Sequence, residues 1–573
     1  MPAPTTAVRA VNQYRKRDIY AYLALRYYLE NTSANKERWI REVCTSLCSP
    51  AYRSGYLSLK HFKEISESGH VIHRDIYIPG PVEALAESTL IGECHSAGGP
   101  FIPSESVYSY LPPELTDRSG VFRSYMEGLR RRHRDISDAC RQMRTSRVAF
   151  YDLKKFYPSI GIEIARNAWD SACAEARLPK ITARLGNELL ERHGNEFQGG
   201  MLVGPMFSHL IGNLLLRNID ERMASSSVRY FRYVDDIALV GSSDEINRTY
   251  AKLKAEMEAL GLTLHDQSSS KSIAIDAEDW LQGEHDYAGH DGANSWMTLI
   301  GGVKSLLLWR PEAADELRGR LNDHEIRLPL PDYISAVREH GYLARARHFV
   351  RKKYWRLRTH STSVNSLVEQ ALHLRKHLDD QLSSVMRELG SPSQFHVRRH
   401  VPKARYRLGR LAYLATPRRL TELAGEASHP ALRFHSEVCK AIGTRQVTDL
   451  FELGSNAVQA AAQALRATPS PIDLDQIEFT EVTQQSLATA YLNGLEVRTS
   501  ASTLSHQSRL VQFARGGPDA EMMADGLPFL SEAACLHGLS AEPRHQSILD
   551  SAFDEDEDLA MDVIEQARSS LSG

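Results

Sequence analysis

The stretch Phe231-Arg232-Tyr233-Val234-Asp235-Asp236-Ile237-Ala238-Leu239-Val240 sets two adjacent carboxylates between two apolar runs rich in β-branched and aromatic residues. Val228 to Tyr233 and Ile237 to Val240 read as short strands, so the Asp pair falls at the tight turn between them. Such a turn offers both carboxylates to one pocket. Two carboxylates this close repel, which raises their pKa values unless a cation is present. Divalent metal is the usual answer, and phosphoryl transfer the usual chemistry. Removing clustered acids relieves repulsion, so the pair is expected to be dispensable for folding.

Two upstream segments bear on that pair. In Val148-Ala149-Phe150-Tyr151-Asp152 an apolar strand ends on an acid, and Phe156 and Tyr157 follow four and five residues later. Gly199 to Asn213 is a glycine-bearing loop that runs into an apolar helix, Leu210 to Ile219, and its glycines would let backbone approach a flat or charged ligand. In order and spacing these segments resemble the palm of a reverse transcriptase. Asp152 matches the first metal-binding aspartate, Tyr233-Val234-Asp235-Asp236 the YxDD box, and Gly199 to Asn213 the loop-helix that supports template and incoming nucleotide. Many reverse transcriptases carry Gln-Gly and then Ser-Pro in that loop-helix. Here Val203-Gly204 and Ser208-His209 stand at those places, and Asn213 keeps its offset. The form without the glutamine looks like bacterial defence-associated reverse transcriptases, including the abortive-infection group, more than like intron or retroviral enzymes.

The resemblance covers about residues 115–290 and implies a site. Two Mg²⁺ ions would be bridged by Asp152 and Asp235 with Asp236 in support, and the Leu153 backbone carbonyl would complete the shell. Tyr157 would be the steric gate against a ribose 2′-hydroxyl, although Phe156 and Tyr157 also read simply as core aromatics. Gly204, Ser208 and Arg130 are expected near the dNTP, and Lys271 as a general acid near its triphosphate.

Composition sets the frame. The chain has 573 residues, 42% hydrophobic and 25% charged, as in an ordinary soluble protein with more than one core. No apolar run approaches the roughly 18 residues of a membrane span. Seven scattered cysteines show no zinc spacing and are expected as free thiols in a reducing cytoplasm. Net charge is only −3, but charge is unevenly spread. Arg345 to Arg419 holds 18 Lys/Arg against 4 Asp/Glu, a balance suited to tracking phosphates or to a solvated helix face. Arg351, Lys352, Lys353, Arg398, Arg399 and Lys403 are its candidate nucleic-acid contacts.

The expected fold is α/β plus all-α: a fingers–palm right hand followed by a C-terminal helical region, with helical repeats as one form of it. Residues 1–145 read as N-terminal and fingers region, 146–290 as palm, 291–420 as a basic thumb-like region, and 421–573 as helices with an acidic tail. Expected elements include a helix from Asp18 to Leu29, a strand at His73 to Pro79, a helix from Ser243 to Leu260, a strand from Gly261 to His265, and a long helix from Val364 to Leu389. Asp558 to Leu571 is a further helix candidate. The leading functional expectation is a DNA polymerase of antiphage defence, making DNA on an RNA template or without an external one. A retron- or intron-derived enzyme copying a dedicated RNA, and a nucleic-acid-binding scaffold with a residual palm, are the alternatives. RNA or DNA is the implied partner, with a homo-oligomer or a partner defence protein left open. Abortive-infection enzymes can start DNA on their own hydroxyls, which makes Tyr14, Tyr20, Tyr22, Tyr27 and Tyr28 candidate primers.

Overall fold

The computed structural model describes, with small gaps, residues 3–15, 55–282, 312–330, 363–498 and 508–516, together with short pieces between them. The chain opens with α1 (Ala3–Arg15), followed by a hairpin of β1 (Tyr56–Ile65) and β2 (Val71–Pro79), then α2 (Pro81–Ala97) and α3 (Tyr125–Gln142). A central sheet follows, built from β3 (Arg147–Asp152), β4 (Arg229–Tyr233), β5 (Asp236–Gly241) and β6 (Ile273–Asp276) in the order β4-β5-β3-β6. Between its strands run α4 (Ile162–Glu175), α5 (Lys180–Glu196), α6 (Met206–Ala224) and α7 (Ser243–Ala259). The connectivity β3–helices–β4–β5–α7–β6 is that of a split βαβ unit, with every strand pair antiparallel.

Alternation along the strands divides the sheet into two faces. Ala149, Tyr151, Ile237 and Leu239 join the large core with α6 and α7. Val148, Phe150, Ala238 and Val240 face the other way, against Ile136, Ala139 and Cys140 of α3. The α7 helix starts where expected because Ser242 and Glu245 form a reciprocal capping box. Gly261 follows it with a φ of 74°. The expected strand at 261–265 does not form. Only Leu264 bridges Leu153, and the fourth strand is Ile273–Asp276.

Beyond the sheet the described residues are almost wholly helical: α8 (Ala313–Asp323), α9 (Val364–Leu389), α10 (Gln394–Leu414), α11 (Pro417–Glu426), α12 (Arg433–Thr444), α13 (Ser455–Ala467) and α14 (Glu481–Leu492). Helix α9 has the expected bounds, with Ser363 as N-cap and Gly390 closing it. These helices return to the N-terminal hairpin. The outer edge of β1 would expose unpaired peptide groups, and side-chain amides cover them. Lys60 N–H donates to Gln485 Oε1 (2.7 Å), Gln485 Nε2 to Ser58 O (3.0 Å), and Phe62 N–H to Asn456 Oδ1 (3.0 Å). Among the described residues no helix is long and apolar enough to cross a membrane.

Candidate functional site

Strand register brings the acids together. Asp152 at the end of β3 lies directly opposite Asp236 at the start of β5, and Asp235 occupies the β4–β5 turn beside them. The Leu153 N–H donates to the Asp235 carbonyl at 3.2 Å, which ties the end of β3 to the turn. Burial, then the charges of Asp152 and Asp236, push the Asp235 carboxyl up to about 6, while Arg74 of β2 pulls the other way. His265 adds an imidazole, its Nε2 3.9 Å from Asp152 Oδ2.

The turn itself is held from behind. Val234 sits at a φ of 56°, a left-handed conformation costly for a β-branched residue. Its N–H donates to Ser109 Oγ (2.8 Å), and its carbonyl accepts from Arg232 Nη1 (3.0 Å). Arg232 and Asp220, 1% and 2% exposed, form a bidentate pair with two 2.7 Å bonds. Tyr230 donates to the same carboxylate, and Arg232 Nη2 reaches Asn213 Oδ1 at 3.1 Å. Asn213 therefore supports the turn from α6.

Asp236 is engaged by Arg132, which corrects the expectation that both acids are dispensable for folding. Arg132, 6% exposed, places Nη1 3.1 Å from Asp236 Oδ2 and Nη2 3.1 Å from the Asp236 carbonyl. It sits at a core position of α3, in the buried stripe Gly128–Arg132–Ile136–Cys140. Gly128 makes this fit, because a Cβ there would lie 2.0 Å from the Tyr108 carbonyl. The arginine that meets the acids is thus Arg132. Arg130, chosen from the same basic run, points to the exposed side of the helix. Nor are Asp235 and Asp236 equivalent for folding: relief of repulsion applies to Asp235, whereas Asp236 neutralises a buried guanidinium.

The loop-helix also differs from expectation. Gly204 (φ 133°) brings backbone close to β2: a Cβ would lie 2.2 Å from the Tyr77 carbonyl, and Tyr77 N–H donates to Val203 O (2.8 Å). Ser208 is fully buried and donates to the Leu202 carbonyl at 2.6 Å, closing the loop before α6. Both are structural here. Phe156 is core, while the Tyr157 ring is half-buried with its hydroxyl 2.6 Å from His209 Nδ1.

Asp152 and Asp235, two acids sharing one partly desolvated corner, form a donor set suited to a hard cation such as Mg²⁺. Among the described residues, however, no group of three or more His, Cys, Asp or Glu side chains converges as a ready-made metal site. Asp236, in register with Asp152, is at the same time paired with Arg132.

Of the basic candidates, Arg399 and Lys403 lie half-buried on α10, and Arg398 lies on the same helix. Neighbouring cations serve the fold: Arg405 donates to the Ala431 carbonyl, Arg407 to Gln381 Oε1, and Arg419 pairs with Asp379 and Glu426. Tyr14 and Tyr20 are core residues, the latter with its hydroxyl on Gln485 O and Thr489 Oγ1, so neither presents a primer hydroxyl. Tyr22, Tyr27, Tyr28, Lys271, Arg351, Lys352, Lys353 and the Asp558–Leu571 segment lie outside the described residues.

Residues that sequence reasoning missed are Arg132, the Arg232–Asp220 pair, His265, and Arg74, exposed on β2 and acting electrostatically on Asp235. The spacing of Gly128, Arg132, Ile136 and Cys140 was the signal available for the first. No family model matches the chain, and no curated protein matches it.

Proposed function

We propose that this protein is a cytoplasmic, Mg²⁺-dependent DNA polymerase of the reverse-transcriptase type acting in bacterial antiphage defence. It would make DNA from dNTPs on an RNA template or without an external one. The observation that carries the reading is the meeting of Asp152 and Asp235 at the end of an antiparallel sheet, with the half-exposed Tyr157 ring on the segment that follows Asp152. Asp152 and Asp235, with the Leu153 backbone beside them, would hold Mg²⁺, which would supply activation of the attacking hydroxyl and neutralisation of the triphosphate. Asp236, through Arg132, fixes the turn on which Asp235 rides. Arg74, whose charge acts on Asp235, and Arg130 are the cations that would meet the triphosphate. Tyr157 selects the sugar, and the α10 cations follow the nucleic-acid backbone.

The test gives purified protein Mg²⁺ and labelled dNTPs, with and without added RNA. Incorporation dependent on RNA supports copying, and incorporation without RNA supports untemplated synthesis. A single discrete RNA that alone serves as template favours the retron-like alternative. Nucleic-acid binding with no incorporation leaves the scaffold.

A further inference from the structure

Tyr157 is not a loose aromatic on the surface of the site. Its hydroxyl and His209 Nδ1 share a hydrogen bond of 2.6 Å, with the donor set by the imidazole tautomer. His209 itself is 3% exposed and lies in the first turn of α6. The Tyr110 ring stacks flat on its imidazole, with centroids 3.7 Å apart and planes within 7°. Phe122 packs edge-on against both rings. Tyr110 holds a left-handed φ of 54° that aims its ring at this stack. The turn carrying His209 is further fixed by Ser208 on Leu202 O and by Phe207 N–H on Glu87 Oε2 (3.1 Å). Beneath the Tyr157 ring, a Cβ on Gly212 would lie 3.5 Å from it and 3.0 Å from Phe156, so the backbone of α6 forms the floor.

The His209 position is where the reverse-transcriptase pattern most often carries proline, which has no side-chain group to hold a phenol. A gate that discriminates one hydroxyl must keep its ring in place, and a tyrosine anchored only by its own backbone can change rotamer. We propose that His209 is a positioning residue for sugar selection: held by the Tyr110 stack, it tethers the Tyr157 phenol so that the ring stands against a ribose 2′-hydroxyl. This rests on the polymerase reading above.

The experiment measures kcat and KM for a dNTP and the matching rNTP with Mg²⁺, together with thermal stability, for wild type, Y157F, H209F, H209N, Y157F/H209F and Y157A. Loss of one hydrogen bond is worth about 2- to 10-fold. Y157F keeps the ring but loses the tether, and H209F keeps a ring for Tyr110 but has no nitrogen for the phenol. Each is expected to raise relative rNTP use by about 2- to 10-fold, through a lower KM for the rNTP. The double variant should rise no further than either single one, and Y157A should exceed both. H209N, with an amide near the place of Nδ1, should keep the wild-type ratio. An unchanged ratio in Y157F, or additive effects in the double variant, overturns the tether. Should H209F fail to fold, Y157F and H209N decide alone. A wild-type protein that incorporates no nucleotide removes the polymerase reading and this proposal together. Incorporation with an unchanged ratio removes this proposal only.

Discussion

The central sheet and the described residues that follow it both bury charge, but they handle it differently. Behind the β4–β5 turn, Arg232 meets Asp220 in a bidentate pair, and Arg132 meets Asp236. In the later region, Arg405 and Arg327 lie on backbone carbonyls, Arg407 on an amide, and Arg410 between the rings of Trp296 and Tyr406, while Arg419 meets Asp379 and Glu426 nearer the surface. Burial holds Arg327, Arg405 and Arg407 below their usual range. Opposite charges make the network behind the β4–β5 turn intolerant of losing one member. Carbonyls and rings leave the helical region more tolerant, and they show that 18 cations in a segment are not 18 surface charges.

The largest effect should come from separating the two adjacent acids. Asp235→Asn is expected to take nucleotide incorporation to background while the protein stays folded. Its folded pKa, about 6, lies above the ordinary aspartate value of about 3.9. The folded state therefore binds more protons between those values, and stability falls as pH rises from 4 through 6. In EDTA, the variant should match wild type near pH 4 and exceed it at pH 7. Asp236→Asn should do the reverse for stability, losing about 1–3 kcal/mol because Arg132 keeps its buried charge without the carboxylate. Equal thermal unfolding of the two variants at pH 7 would break the distinction.

Next comes the contrast between the regions. Arg232→Met abandons the buried Asp220 carboxylate and should cost about 3–5 kcal/mol in urea unfolding. Arg405→Met withdraws two donors from one carbonyl and should cost only about 1 kcal/mol. Similar losses from both would mean that the helical cations are as tightly coupled as those of the central sheet.

Much of the scaffold was legible because local rules decide it. β-Branched and aromatic content marked β4 and β5, helical periodicity marked Ser243 to Leu260, and one apolar stripe ran from Val364 to Leu389. The strand Ile273–Asp276 was missed because four residues are too few to establish a period. Asp152 and Asp235 were legible because adjacent acids on apolar strands need a reason to be there. Asp220 and Arg232 were not, since their pairing spans a helix and a strand and exists only once α6 packs on β4. The packing of Gly204 and Ser208 was not legible for a related reason. A glycine shows that something comes close, and only the fold shows that it is Tyr77. His209 stood out as a departure from a pattern, but its partner lies 52 residues away.

The smallest effect tests whether any helical cations remain for nucleic acid. Arg399, Lys403 and Arg407 follow one another at four-residue spacing along α10 and so share a face. Burial, then repulsion from Arg399 and Arg407, lowers Lys403 from 10.5 to about 8. Between those values the unfolded chain binds more protons than the folded one, so this group's contribution to stability rises with pH from about 8 to 10.5. Lys403→Gln should therefore be more stable than wild type at pH 7, with the gap closing above pH 8. A phosphate laid along the stripe would relieve the same repulsion, so the variant should bind nucleic acid more weakly, with a salt slope smaller by about 1. Stability and binding then move in opposite directions, as expected where charge is kept for a partner at the expense of the fold. If Lys403→Gln instead lost stability and bound with the wild-type salt slope, Arg399 and Lys403 would belong with Arg405 and Arg407 as internal support. Phosphate tracking would then have to be sought on another surface.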